Sequence, residues 1–88
     1  MYYHSLYYIA VTKKEKLIYE LVSLPTSMRF SDVQKVLEWH GYELNRSAGS
    51  HFMFRKEGSP KLDIPVKDGK TVKRIYLKMI VDVLNLKG

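Results

Sequence analysis

Hydrophobic positions are spaced helically at both ends of the chain and alternate in its middle. Leu17, Ile18, Leu21, Val22 and Leu24 recur at intervals of three and four, which predicts an amphipathic helix over residues 12–24. Thr12-Lys13-Lys14-Glu15 marks its start as a capping box, hydroxyl and carboxylate each satisfying a backbone N–H, and Pro25 stops it. Ser31-Asp32-Val33-Gln34 reads as a second capping box. It opens a shorter helix with Val33, Val36 and Leu37 inward, and Gly41 is placed to end that helix in a left-handed conformation.

Period-two alternation then takes over. Tyr42-Glu43-Leu44-Asn45-Arg46 predicts a first strand, and Ser47-Ala48-Gly49-Ser50 turns the chain. His51 to Lys56 predicts a second strand, with Phe52 and Phe54 on one face and His51, Met53 and Arg55 on the other. After the turn Glu57-Gly58-Ser59-Pro60, the run Lys61 to Val66 sets Leu62, Ile64 and Val66 inward. Pro65 cannot donate to a ladder, so this third strand belongs at a sheet edge. Beyond the loop Lys67-Asp68-Gly69-Lys70, Thr71 can cap a last helix of some four turns. Its apolar positions are Val72, Ile75, Tyr76, Met79, Ile80, Val83 and Leu84. The expected architecture is α+β: a three-stranded antiparallel meander with helices on one face, plus an extra N-terminal helix, and the other sheet face open.

Composition narrows the possibilities. At 88 residues the chain holds one domain, expected over 12–88 behind an N-terminal arm at 1–11. Apolar residues make up 45% and charged residues 27%, a globular balance. Without cysteine, neither disulfides nor thiolate metal sites are available as staples. No apolar run reaches the ~18 residues of a membrane helix. The opening arm lacks a basic n-region and a cleavage site, so no signal peptide is read there and a cytoplasmic protein is expected.

Charge adds a direction. Residues 1–44 balance five basic against five acidic side chains, whereas residues 45–88 carry ten against four, so the whole net charge of +6 lies in the second half. A localised basic field attracts polyanions, nucleic acid or an acidic protein. Of the three histidines, His4 lies in the arm and His40 ends the second helix, where the helix dipole favours it. His51 follows a glycine–serine turn in the basic half, faces the open side of the sheet, and has Arg46 and Arg55 expected nearby. RNA cleavage without a metal requires a group that moves the 2′-OH or leaving-group proton. Imidazole suits this because its unperturbed pKa of about 6.5 lies near working pH. It also requires cations on the phosphate, a task that suits the planar fork of Arg. The candidates are Arg46, Arg55, Lys56, Lys67, Lys70, Lys73 and Arg74, the last three also near a helix N-terminus that favours anions. Asp63 and Asp68 are expected to be isolated surface charges, and no metal site or cofactor motif is present in the sequence.

The order of these features resembles the HicA family of toxins. The residues that carry the resemblance are Gly49-Ser50-His51 followed by Phe52, Phe54 and Arg55, then Ile64-Pro65-Val66, and Gly69-Lys70-Thr71-Val72-Lys73 leading into an amphipathic helix. The similarity covers about residues 31–86, and the arm has no counterpart in the family pattern. It implies a double-stranded-RNA-binding-domain-like fold and an endoribonuclease (mRNA interferase) that arrests translation, with an antitoxin partner of the HicB family. The family's catalytic histidine falls on His51, with Gly49 and Ser50 as the turn before it, and Ser50 is expected to contact RNA as well. The motif names no supporting cations, so those stay open. The competing expectation is a non-catalytic double-stranded RNA-binding module, which reads shape and phosphates and needs no acid or base. A third is an inactive toxin relic that serves as a regulator's partner, with Met53 in its contact patch.

Overall fold

A computed structural model describes residues 12–86. The arm 1–11, with His4, lies outside the described residues. Helix α1 (Lys13–Val22) starts where its capping box predicts: Glu15 N–H donates to Thr12 Oγ1 at 3.1 Å, and Thr12 N–H donates to Glu15 Oε1 at 2.9 Å. It is followed by strand β1 (Ser27–Arg29), helix α2 (Phe30–Trp39), strands β2 (Glu43–Ala48), β3 (His51–Arg55), β4 (Leu62–Pro65) and β5 (Thr71–Lys73), and helix α3 (Arg74–Leu84). The class is α+β as expected, consistent with a double-stranded-RNA-binding-like fold. The meander β2-β3-β4 is antiparallel, with β4 at its edge as Pro65 requires.

The strands β1 and β5 are additions to the expected order. They pair antiparallel, Met28 opposite Val72, in a two-stranded sheet of their own. Each runs directly into a helix, and this corrects both expected caps. At α2 the N-cap is Arg29, without a side-chain bond, and Phe30 N–H donates to Lys70 O at 2.7 Å. At α3 the N-cap is Lys73, likewise without a side-chain bond, and Arg74 N–H donates to Thr26 O at 3.0 Å. At each helix start a backbone carbonyl of the facing segment, not a capping side chain, takes the first N–H. Thr71 lies in β5, and the last helix is correspondingly one turn shorter than expected.

The core lies between the helices and the inner face of the meander. Val33, Val36 and Leu37 of α2 are buried, and so are Leu62, Ile64 and Val66, as the alternation predicts. Phe30 bridges the layers, its ring centroid 4.5 Å from Phe52 and 6.1 Å from Phe54. Burying a side chain such as Phe54 contributes roughly 1.5–3 kcal/mol. Most of the expected stripe of α3 holds, with Ile80 buried and Tyr76, Met79, Val83 and Leu84 packed against the core, but Leu77 and Val81 are buried as well and Ile75 is 68% exposed. Because residues 72 and 73 belong to β5, the helix phase begins at Arg74, and Ile75 falls on the outer side.

Candidate active site on the open sheet face

Directly opposed residues of an antiparallel pair share a face, so register alone sets out the surface turned away from the helices. His51 stands opposite Ala48 on β2 and Pro65 on β4, and Met53 stands opposite Arg46 and Asp63. Arg55 and Glu43 pair at the far end. Arg46 reaches this face through a register shift. Leu44 pairs with inward Phe54 and Arg46 with outward Met53, so Asn45 is the extra residue of a bulge. In an unbroken strand Arg46 would share a face with Leu44.

Two features fix His51. The turn Gly49-Ser50 links Ala48 directly to His51, and Gly49 has φ +61°, the positive first central position of a type II′ hairpin turn. Val66 N–H then donates to Ser50 O at 2.8 Å, tying the turn to the end of β4. On the face itself, His51 Nδ1 lies 3.1 Å from Asp63 Oδ1, a diagonal contact across β3 and β4. An ionised carboxylate only accepts, so Nδ1–H donates to Asp63. In the neutral ring this leaves the Nε2 lone pair free toward solvent, in the tautomer a general base needs. Both side chains are 53% exposed, open to a large substrate.

Asp63 is therefore no isolated charge. It was legible as one face with His51 by alternation, but its contact depends on a register set across twelve residues. Asp68 sits in the turn before β5 with φ +52°. His40 caps α2, its ring Nδ1 2.8 Å from Val36 O. Among the described residues no three His, Cys, Asp or Glu side chains group as metal ligands.

The expected cations distribute unevenly. Arg46 is diagonal to His51, about 7–8 Å off at the backbone. Lys67 and Lys73 line, with Ser50, one cleft at the His51 end of the meander. Arg55 lies four residues along β3, about 13 Å away. Lys56 is beyond it, its ammonium 5.9 Å from the Tyr42 ring centroid. Lys70 lines a separate hollow with Arg29 and Phe30. Arg74 has its Nε donating to Pro25 O at 3.2 Å, which holds the α1–β1 connection.

The sequence profile of the family described as HicA toxin of bacterial toxin-antitoxin matches residues 30–87. The chain belongs to the HicA toxin family. HicA proteins are the toxins of toxin–antitoxin systems and generally ribonucleases, so an antitoxin partner is implied as well. No curated protein and no solved structure matches the chain. The HicA match begins at the first residue of α2, so it takes in β2 to β5 and the whole of the His51 face, while α1 lies before it. No helix among the described residues is long and apolar enough to cross a membrane.

Proposed function

We propose that this HicA toxin is a metal-independent endoribonuclease that cleaves mRNA in the cytoplasm and so arrests translation, with His51 as its acid–base residue. The observation that carries this reading is the His51–Asp63 pair, an oriented imidazole on an open, cation-flanked sheet face. His51 Nε2 takes the proton from a ribose 2′-OH as the 2′-oxygen bonds to the adjacent phosphorus. The bond from phosphorus to the 5′-oxygen breaks, and that oxygen leaves with a proton delivered by the imidazolium or by water. The products are a 2′,3′-cyclic phosphate and a 5′-hydroxyl. Such proton transfer contributes typically ~10²–10⁴-fold. Asp63 holds the ring and offsets the charge it gains, while Arg46, Lys67 and Lys73 meet the phosphate charge. Ser50 holds the turn beside the scissile group. Arg55, Lys56, Lys70 and Arg74 lie further out, where they can meet only more distant phosphates of a longer strand. A HicB-family antitoxin would inhibit by covering the same face.

Incubation of a single-stranded RNA with the protein and with His51→Ala, each with and without a chelator, tests this. The wild type should cut in both conditions and leave cyclic-phosphate ends, and the variant should bind RNA but lose at least ~10²-fold in rate. Equal cleavage by His51→Ala would refute the role of the histidine, and loss of wild-type cleavage on chelation would refute metal independence. Binding without any cleavage by the wild type would return the chain to the class of non-catalytic RNA binders.

A further inference from the structure

Beside the His51–Asp63 pair, the end of the meander and the start of α3 flank an open cleft of about 270 Å³. Its walls are Ser50, Pro65, Val66, Lys67, Lys73 and Tyr76. Ser50 immediately precedes His51, and Pro65 stands directly opposite it across β3 and β4. Val66 is buried, with its N–H held by Ser50 O, and forms a fixed floor. The Lys67 segment is held by a tight turn in which Lys67 N–H donates to Thr71 O at 2.7 Å and Lys70 N–H to Lys67 O at 2.9 Å. Tyr76 sits in the first turn of α3, half-buried and packed against the core.

These walls combine an aromatic ring, an apolar floor and two ammonium groups, the chemistry that meets one nucleotide: a base with a π-face and an anionic phosphate. The volume lies just under the ~300–1,000 Å³ of ordinary small-molecule pockets, room for one splayed nucleotide and not for a duplex. Proteins that read RNA by sequence take unstacked bases from single strands onto aromatic side chains. We infer that this cleft is the base-reading subsite of the toxin. It takes the nucleotide flanking the scissile phosphate, with its base stacked on Tyr76 and its phosphate held by Lys67 and Lys73. The inference rests on the ribonuclease reading above, and it makes Tyr76 the residue that sets base preference at one position and requires single-stranded substrate there.

The test uses the full chain and a short single-stranded RNA with its base varied at each position around the cut. Tyr76→Leu keeps apolar bulk without a π-face and should raise KM by roughly 10-fold, in the range of one lost base–aromatic stack. It should also flatten base preference at one flanking position and leave the other positions unchanged. Tyr76→Phe, which keeps the ring, should restore both, and equal thermal midpoints for the two variants exclude a folding defect. Lys67→Ala with Lys73→Ala should raise KM without touching base preference. The subsite is overturned if Tyr76→Leu matches the wild type in KM and cleavage pattern, or if Tyr76→Phe is as impaired as Tyr76→Leu. If the wild type itself cleaves nothing, the ribonuclease reading fails. The subsite is then judged on binding alone, where Tyr76→Leu must still weaken affinity for the single strand about 10-fold or the inference falls with it.

Discussion

Replacing Asp63 separates an oriented histidine from a merely exposed one. The carboxylate has two effects on His51, and they differ in size. Its charge favours the imidazolium formed during proton transfer, but both side chains are 53% exposed, and pairs so open to water are worth about 0.2–1 kcal/mol. At ~1.4 kcal/mol per tenfold in rate, that is at most about fivefold. The second effect is tautomeric. In the proposed mechanism Asp63 accepts from Nδ1–H and leaves Nε2 as the base. The amide introduced by Asp63→Asn can instead donate to Nδ1 and put the proton on Nε2, where it blocks the base. In a buried triad the Asp-to-Asn exchange costs ~10⁴ in kcat. Here the ring can escape toward solvent, so we expect Asp63→Asn to lower kcat by about 10–100-fold with KM within twofold. Asp63→Ala, which removes the charge without imposing the wrong tautomer, should be milder, near fivefold. Single-turnover cleavage of a defined RNA, with circular dichroism to establish folding, measures the series. A kcat for Asp63→Asn within twofold of wild type, or Ala more damaging than Asn, would sink the reasoning.

Two further outcomes follow from the site's supports. At Gly49 a Cβ would meet nothing within 4 Å, but φ is +61°, so Gly49→Ala should cost about 1–2 kcal/mol through backbone strain alone and lower Tm by roughly 4–8 °C per kcal/mol. An unchanged melting curve for the alanine variant would contradict the assigned turn. If Arg46, Lys67 and Lys73 each neutralise a phosphate of a single strand, log K for RNA should fall with log salt at a slope of about −2. Removing any one of them should make the slope shallower by about 0.7, and a flat dependence would argue against these contacts.

The parts of this fold that were legible in the sequence are those set by local periodicity. Val33, Val36 and Leu37 announced one face of α2, Leu62, Ile64 and Val66 one face of β4, and Gly41 took the positive φ expected after α2. The parts that were not legible depend on pairings distant in sequence. Strands β1 and β5 are three residues each, too short to show alternation, and their partners lie more than forty positions apart. Once paired, they overrode the apparent helix caps at Ser31 and Thr71 and fixed the phase of α3, which turned Ile75 outward. The contact of Asp63 with His51 was hidden for the same reason, although alternation already placed the two on one face.

Yet the inner face determines the His51–Asp63 contact almost completely. Phe52 opposite Ile64 and Phe54 opposite Leu62 bring apolar side chains together against α2. A one-residue slip would send those side chains to water and His51 into the core, so burial forbids it. With the inner register fixed, His51 and Asp63 have to emerge as diagonal neighbours on the other side. The geometry of the proposed acid–base pair is thus held by apolar packing that touches neither of its members. Substitutions among these four inner residues should disturb the pair through register, without any change in its own chemistry.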